Sequence, residues 1–402
     1  MSKRGNGEGS IYPVPGGYRA FVWATRPDGT RYRKYVQRKT YEETQKAWLD
    51  LRAKVRSGPV VSNAPKLADF LDYWLTEVVQ PNLAPLTAST YETFVRHYIT
   101  PKLGGKRLDR LTVRDVRLWL NALRAECQCC AQGKDARRKT PRCCAIGRCC
   151  KRIVSERTIK DARAVLRSAL NVAVSEDLLT KNPAAGIRLS AARTRKTKPW
   201  TVDEARRFLE SARTEDDPLY AAYVLILVLG LRKGELLGIT WEAVDLDAAT
   251  LDVSWQLQRV KRQLHHRETK TRASDAVLPL PDICVTALRE RRRIQQAARD
   301  RLGDAWIDTG FVFTTEHGTP FEPRNFDRRF ATRCRRAGVR KITIHDMRHT
   351  CASFLAALDV HPRVAMQILR HSDIKVTMEI YTHIPSEQTR RALKRLSERL
   401  GR

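Results

Sequence analysis

Short apolar runs open the chain, in the stretch "GSIYPVPGGYRAFVWATRPDGTRYRKYVQRKT" (residues 9–40). Aromatic and β-branched residues alternate there with polar ones, and Gly-Gly and Asp-Gly pairs break the runs. Such breaks mark hairpin turns, so the pattern predicts a small three-stranded antiparallel sheet. Apolar positions then recur at helical spacing in "YEETQKAWLDLRAKVRSG", which ends on Gly58 and predicts one helix.

Four amphipathic helix patterns follow the polar linker "SGPVVSNAP" (57–65) and predict an all-α domain over residues 65–190. They are "LADFLDYWLTEVV", "TASTYETFVRHYITPKL", "TVRDVRLWLNALRA" and "SERTIKDARAVLRSALNVAVSEDLL". After a second, basic linker, Thr201 and Glu204 have the spacing of a capping box and open a third domain over residues 197–402. This domain has the apolar run "LYAAYVLILVLGL", which predicts a buried helix, then a strand-like middle and a helical end. The predicted fold class is therefore multidomain α+β.

The net charge of the chain limits the classes of partner that it is expected to bind. The formal net charge is +31, and residues 1–57 carry 13 basic against 5 acidic side chains, residues 65–190 carry 23 against 12, and residues 191–402 carry 39 against 27. Because every part is basic, we expect each domain to contact a polyanion, nucleic acid first and an acidic membrane surface second. The start of the chain lacks an apolar signal segment, and the longest apolar run is too short to cross a bilayer. We therefore expect a cytoplasmic protein without a membrane partner.

Basic side chains are concentrated on the predicted N-terminal sheet. Arg19, Arg31, Arg33 and Lys34 are expected to be exposed there, where they could lie in a DNA groove. The alternative is an ordinary solvated basic face.

Seven of the ten cysteines lie in "CQCCAQGKDARRKTPRCCAIGRCC" (residues 127–150), which we call the cysteine-rich insert. In a reducing compartment, clustered thiols favour metal or redox chemistry. A polar segment separates the first cluster from two later pairs and could form the turn that a tetrahedral zinc site needs. One structural zinc with spare thiols and a two-metal cluster that shares thiolates both stay open, as does a metal-free, redox-sensitive insertion. The candidate ligands are Cys127, Cys129, Cys130, Cys143, Cys144, Cys149 and Cys150.

Four places in the third domain carry side chains suited to catalysis. Each taken singly has an ordinary structural interpretation, such as a solvated charge or a packed aromatic ring. Together they supply a reaction site, because two arginines can hold the nonbridging oxygens of a phosphodiester and stabilise the charge that develops on it. A tyrosine can attack phosphorus, a lysine can protonate the departing 5′ oxygen, and histidines can handle the phenol proton. These residues are Arg232, Lys270 (interpreted as lying in a hairpin turn), His345, Arg348, His371 and Tyr381.

The segments around these residues resemble those of the tyrosine recombinases, the phage-integrase family. The motifs "LGLRKGELLGITWEAVDL", a lysine hairpin, "TIHDMRHTCASFLA" and "LRHSDIKVTMEIYTH" occur in the family's order. The resemblance extends over the whole chain, with residues 1–57 similar to an arm-type DNA-binding domain and residues 65–190 similar to a helical core-site-binding domain. The cysteine-rich insert departs from the family's pattern.

The resemblance implies a site-specific integrase that cuts and rejoins DNA through a 3′-phosphotyrosyl intermediate, for integration and excision of a phage or integrative element. Arg232, His345, Arg348 and His371 would surround the scissile phosphate. Lys270 would be the general acid, Tyr381 the nucleophile, and Glu235 a supporting carboxylate. No cofactor is expected for catalysis, since no carboxylate cluster suited to Mg²⁺ lies near these positions.

Implied partners are double-stranded DNA at core and arm attachment sites, three further copies of the chain in a homotetramer, an excision factor and a host DNA-bending protein. The tail "TRRALKRLSERL" could dock on a neighbouring copy through Leu393, Leu396 and Leu400, or pack on its own domain. Two other functions are considered, a DNA-binding regulator that has lost cleavage and a type IB topoisomerase. The first would be favoured by loss of any of the six residues, and none is lost.

Overall fold

The computed structural model describes residues 11–25, 31–56, 64–189, 198–269 and 276–381. The chain divides into two compact units, Met1–Thr194 and Arg195–Arg402. Separate hydrophobic cores hold the helical part of the first unit and the body of the second. None of the helices in the described ranges combines the length and the apolar character needed to cross a membrane.

The first unit begins with the antiparallel sheet that the sequence predicts, followed by the predicted helix. The strands pair in the order β1-β2-β3, and the Pro15-Gly16 turn joins the first two. The Asp-Gly pair at 28–29 lies outside the described residues. The elements are β1 (Ile11–Val14), β2 (Gly17–Thr25), β3 (Arg31–Arg38) and α1 (Tyr41–Arg56).

The two faces of this sheet differ, which corrects one expectation about its basic side chains. Ala20 and Val22 of β2 are buried on the face that packs against α1. Lys34 pairs with Val22 across the strands, so its side chain lies on this same face, since side chains alternate along a strand. Arg31 and Arg33 lie on the opposite, exposed face, where Arg33 stacks 4.9 Å from the ring centroid of Trp23. Three of the four expected basic residues therefore share the open face, and Lys34 does not.

The helical part of the first unit contains the four predicted segments, and π-helical turns interrupt two of them. The Thr112 hydroxyl and the Asp115 carboxylate form a capping box at the start of the third segment, and Trp119 donates to the carbonyl of Tyr98 at 2.8 Å. The helices are α2 (Leu67–Tyr73), continued through Trp74–Val79 into α3 (Gln80–Asn82), α4 (Pro85–Phe94), continued through Val95–Ile99 into α5 (Thr100–Leu103), α6 (Val113–Ala125), the short α7 (Gln128–Ala131) and α8 (Glu156–Ser175).

A buried apolar helix forms the centre of the second unit. It is α10 (Tyr220–Leu229), in which eight of ten residues are buried, and it packs against the helices on either side. The Thr201–Glu204 capping box that the sequence predicts begins the preceding helix. The other helices are α9 (Val202–Thr214), α11 (Lys233–Leu237), α12 (Asp282–Leu302), α13 (Pro323–Arg336), α14 (Ile344–Ala357), α15 (Pro362–Leu369) and α16 (Ile374–Tyr381).

Two small antiparallel sheets lie between α11 and α12, where the sequence predicts strands. One has the order β4-β5-β8 and the other is the hairpin β6-β7. Leu251 belongs to the first sheet and Leu257 to the second, and both side chains are buried in the core of the unit. The strands are β4 (Val244–Asp245), β5 (Thr250–Asp252), β6 (Trp255–Val260), β7 (Gln263–Glu268) and β8 (Val277–Pro279).

Candidate active site

The turn between α10 and α11 positions the first arginine. Gly230 ends α10 with a φ of +61°, and a Cβ at this position would lie 2.5 Å from a methyl carbon of Leu369, so glycine is required. The chain then enters α11 at Arg232, whose backbone N–H donates to the Glu235 carboxylate at 2.9 Å. The Arg232 side chain donates to the same carboxylate.

Helix α14 contributes three side chains from one face. Its start is fixed by a capping box between Thr343 and Asp346. His345, Arg348 and His349 follow at spacings of three and four residues, which places them side by side on a helix. The rings of His345 and His349 lie with their centroids 4.7 Å apart.

A tight turn at the end of α15 holds both arginines. Arg370 has a left-handed φ of +52°, and two successive carbonyl groups point toward the guanidiniums. The Leu369 carbonyl accepts from Arg348, and the Arg370 carbonyl accepts from Arg232 at 2.9 Å. Arg348 also donates to the carbonyl of Gly230 at 2.6 Å. Backbone acceptors therefore fix the positions of both guanidiniums.

A buried ion pair lies behind this turn. The Arg370 guanidinium donates to the Glu235 carboxylate at 2.9 Å, and the two side chains are only 1% and 3% exposed. Burial alone would raise the pKa of the Glu235 carboxyl, but Arg370 and Arg232 hold it below its usual value. The ionised carboxylate therefore pairs with two of the three arginines and offsets one of their two charges, and Arg348 faces the cavity beside it.

The side chains from these elements line one cavity of about 170 Å³. None of the described residues that line it carries a carboxylate. Burial and the neighbouring Arg232 lower the pKa of Arg348 to about 9, and partial desolvation, His349 and Arg348 lower the pKa of the exposed His345 ring. Burial is the first cause of both shifts, and neighbouring cationic or imidazole side chains are the next, so an anion is the favoured occupant. The lining residues are Arg232, His345, Arg348, His349, Ala352, His371, Ser372 and Val376.

His371 reaches this cavity from the segment between α15 and α16. Its Nδ1 lies 2.9 Å from the hydroxyl of Thr377, a fully buried residue. Burial and the nearby Arg348 and Arg232 guanidiniums lower the pKa of His371 to about 4. The imidazole is therefore neutral near pH 7 and can accept a proton once an anion offsets the arginines.

Tyr381 lies at the end of α16 and is not among the residues that line the cavity. Its side chain is buried, and its phenol donates to the carbonyl of Val360 at 2.7 Å. Burial raises the pKa of this phenol. The structure thus brings four of the six expected residues together and bonds the phenol of the expected nucleophile to the carbonyl of Val360.

Lys270 falls outside the described residues. The strands on either side of it have different partners, since β7 pairs with β6 and β8 pairs with β5. Because residue 270 itself is not described, its interpretation as lying in a hairpin turn stays a prediction. A larger cavity of about 930 Å³ elsewhere in the same unit contains none of the six residues.

Two residues of the site were missed by the sequence interpretation. His349 follows His345 by four residues, so helical spacing could have indicated it. Arg370 directly precedes His371, but only the folded chain shows that it pairs with Glu235 across 135 positions. The left-handed backbone conformation of Arg370 also could not be predicted, because no glycine occupies that position.

The cysteine-rich insert gathers its thiols in the first unit. Two groups of four have sulfur atoms that all lie within 4.8 Å of one another. The first is Cys127, Cys130, Cys144 and Cys149, and the second is Cys129, Cys143, Cys144 and Cys150. Every one of the seven expected cysteines belongs to at least one group.

Comparison with known proteins agrees with this architecture. Residues 199–388 match the phage integrase family model, and residues 66–124 match the phage integrase N-terminal SAM-like domain. A tyrosine recombinase XerC-like protein of Caldanaerobacter subterraneus is 27% identical over 95% of this chain and 96% of its own length. An integrase of Saccharopolyspora erythraea is 23% identical over 94% and 93%.

Solved structures share the fold. The Tn1549 transposon integrase in complex with transposon right-end DNA superimposes with a TM-score of 0.64 at 21% identity, over 83% of this chain and 99% of that one. A lambda integrase tetramer bound to a Holliday junction gives a TM-score of 0.54 at 17% identity, over 94% and 96%. The two family models together cover more than half of the chain, which therefore belongs to the tyrosine recombinase family, also called the phage integrase family.

Proposed function

We propose that this chain is a site-specific DNA integrase that cuts and rejoins DNA strands through a covalent 3′-phosphotyrosyl intermediate, and so integrates and excises a phage or integrative element. The observation that carries the proposal is the cavity where Arg232, Arg348, His345 and His371 converge. Two guanidiniums held by backbone carbonyls suit one phosphodiester, because they match its oxygens and need no rearrangement as charge develops.

Each residue then has one role in strand cleavage. The phenol oxygen of Tyr381 attacks phosphorus, a tyrosine–phosphate ester forms, and the bond from phosphorus to the 5′ oxygen breaks. His371 or His345 takes the phenol proton, and Lys270 gives a proton to the departing 5′ oxygen. Rejoining is the reverse, with a 5′ hydroxyl attacking the ester and restoring the phenol. Arg232 and Arg348 stabilise the phosphorane-like charge in both directions, so the chemistry uses no cofactor.

The three parts of the chain divide the DNA contacts. Residues 1–57 bind arm sites, residues 65–190 bind the core site and residues 197–402 carry out catalysis, as a homotetramer on two duplexes. The basic excess in each part and the exposed Arg31 and Arg33 support this division. An excision factor and a host DNA-bending protein set the direction, and the reaction takes place in the cytoplasm, where the DNA is. Leu393, Leu396 and Leu400 of the tail lie outside the described residues, so their docking on a neighbouring copy or on their own domain stays a prediction.

Structural zinc in the cysteine-rich insert completes the proposal. Its support is the grouping of thiols from both ends of the insert, since zinc-bound thiolates gather in this way across a turn. The insert has few apolar residues for a core of its own, so metal binding supplies its folding free energy.

The experiment that tests this function compares recombination with relaxation. A plasmid carrying two attachment sites, taken from the DNA that flanks the gene, is incubated with the full chain and its accessory proteins. An integrase yields recombinant circles that depend on both sites. Relaxed plasmid without recombinants would indicate a topoisomerase, and binding without any broken strand would indicate a regulator.

A further inference from the structure

The sulfur–sulfur distances in the cysteine-rich insert have the length expected around zinc. Sulfurs at about 2.3 Å from a tetrahedral zinc ion lie about 3.8 Å from one another. The separations are 3.8 Å for Cys129–Cys143, 3.7 Å for Cys130–Cys149 and 3.7 Å for Cys144–Cys150. Each of these pairs joins two members of one four-thiol group, so each matches one edge of a tetrahedron.

The two groups share a single sulfur. Cys144 belongs to both, and the six other thiols belong to one group each. The Cys144 sulfur lies 3.9 Å from Cys127 in the first group and 3.7 Å from Cys150 in the second. Seven thiols can therefore complete two tetrahedra only if the shared thiolate binds both ions.

Other chemistries of clustered cysteines fit these distances less well. All seven thiols are free, and the separations given above are far longer than the about 2.05 Å of a disulfide bond. In an iron–sulfur cluster, inorganic sulfides and several irons stand between the cysteine sulfurs and keep them apart. Zinc suits two groups of four thiolates whose sulfurs lie in direct contact, because it is a closed-shell ion that favours tetrahedral coordination by sulfur.

Backbone donors point at these sulfurs. The N–H groups of Arg152, Lys151 and Cys150 lie 3.3 to 3.5 Å from the sulfurs of Cys127, Cys149 and Cys144 respectively. Such donors stabilise a thiolate more than a neutral thiol, since the acceptor carries a full charge.

One buried carboxylate shapes the turn that carries the middle cysteines. Asp135 is 1% exposed and accepts from the backbone N–H groups of Arg142, Cys143 and Ala145, at 2.8 to 3.1 Å. These bonds fix the loop from which Cys143 and Cys144 project. Asp135 is thus a positioning residue for the shared thiolate.

The charge of the insert suits a cluster with excess thiolates. Two zinc ions and seven thiolates carry a net charge of −3, whereas one ion and four thiolates carry −2. Residues 127–150 contain six lysines and arginines and only one acidic residue, Asp135. The insert therefore provides enough positive charge to stabilise the larger cluster.

We infer that the cysteine-rich insert binds two zinc ions in a seven-thiolate cluster, with Cys144 bridging the ions and three further cysteines completing each tetrahedron. This inference rests on the structural-zinc proposal above and is independent of strand transfer. The function of the cluster is to fold the insert, which has no hydrophobic core of its own, into a rigid unit that presents basic side chains.

Metal content and cadmium NMR on the full chain test the inference. The chain, without a histidine tag and kept reduced, is expected to hold two zinc ions by elemental analysis. After exchange with ¹¹³Cd, two resonances are expected, each split by coupling to the other metal through the bridging sulfur. One ion per chain would overturn the two-ion cluster while leaving structural zinc intact, and no ion would overturn both. Two unsplit resonances would overturn the bridge.

Single-cysteine variants locate the bridge. Cys144→Ala removes a ligand from both ions, so both are expected to be lost to a chelator that leaves the wild-type cluster loaded. Cys130→Ala removes a ligand from one ion only and is expected to retain the other. Cys284→Ala, a buried cysteine of the second unit, is the matched control and keeps two ions. Loss of a single ion from Cys144→Ala would contradict the assignment of the bridge.

Discussion

Tyr381 donates its phenol proton to the carbonyl oxygen of Val360 at 2.7 Å, within a side-chain environment that leaves only 7% of the residue exposed. The proposed chemistry needs that same phenol oxygen at the phosphate held by Arg232 and Arg348. Under that chemistry the arrangement is a resting state, in which the phenol is bonded to Val360 instead of lying at the phosphate. This hydrogen bond must break before cleavage under the proposed chemistry, because neither Tyr381 nor Val360 is among the described residues that line the cavity.

The first prediction is that DNA releases this hydrogen bond. A chain with 3-fluorotyrosine at position 381 is expected to give one ¹⁹F resonance in the absence of DNA. Core-site DNA is expected to shift this resonance clearly, because the ring leaves a buried environment for one lined by charged side chains. The control carries 3-fluorotyrosine at Tyr223, a fully buried residue in the core of the same unit, whose resonance is expected to stay in place. An unchanged Tyr381 resonance on saturated DNA would contradict the resting-state interpretation.

The second prediction concerns the two arginines. Arg232→Lys and Arg348→Lys are each expected to slow strand cleavage by on the order of 10²-fold or more, since an ammonium cannot form the same paired contacts with phosphate. Arg348→Lys also leaves a buried carbonyl without a donor and is expected to lower the free energy of unfolding by about 1–3 kcal/mol. Single-turnover cleavage and urea unfolding measure the two effects.

Arg363→Ala is the matched control for these variants, because Arg363 is an exposed arginine on α15. Its cleavage rate is expected to stay within a few-fold of the wild type. Full cleavage by Arg348→Lys would remove this residue from the proposed site.

The third prediction is a pH dependence from His371. Its pKa is lowered to about 4 in the folded chain, against 6.5 for an ordinary histidine. Between these values the unfolded chain binds more protons than the folded one, so the stability from this group is present above pH 6.5 and is lost as the pH falls toward 4. ¹⁵N NMR of the imidazole is expected to show His371 neutral at pH 5.5, and His371→Asn is expected to lack this part of the acid destabilisation. A protonated ring at pH 5.5 would refute the prediction.

The fourth prediction separates the two faces of the N-terminal sheet. Arg31→Ala and Arg33→Ala are expected to weaken binding to arm-site DNA and to reduce the salt dependence of the affinity by about one counterion each. Lys34→Ala is the control, since Lys34 lies on the same strand but on the face toward α1. Fluorescence anisotropy at several salt concentrations measures the difference. Equal losses from Lys34 and Arg33 would mean that the open face is not the DNA-binding face.

The helices and strands of this fold can be predicted from the sequence because each depends on residues that are close together in the chain. The apolar run before Gly230 and the Thr201–Glu204 box each lie within a few residues, and both predictions were confirmed. The pairing of Arg370 with Glu235 and of Tyr381 with Val360 depends on packing between distant segments, so periodicity could not show it. The face on which Lys34 lies depends on strand register, which a run of basic residues does not determine.

The grouping of the cysteines shows the same limit. Their irregular spacing left the number of metal ions open, because spacing alone does not tell which sulfurs meet. The fold of the insert around Asp135 brings Cys144 into both groups, and this proximity is what distinguishes a shared cluster from a single site.

Trapping of the covalent protein–DNA complex shows whether Tyr381 attacks the DNA. A nicked core-site substrate loses the short 5′-hydroxyl fragment after cleavage, so the phosphotyrosyl adduct accumulates and is seen by denaturing electrophoresis. The wild-type chain is expected to form the adduct, whereas Tyr381→Phe is expected to bind the DNA with similar affinity and form none. Peptide mapping should place the nucleotide on Tyr381. A covalent adduct of undiminished yield in Tyr381→Phe would mean that another residue is the nucleophile.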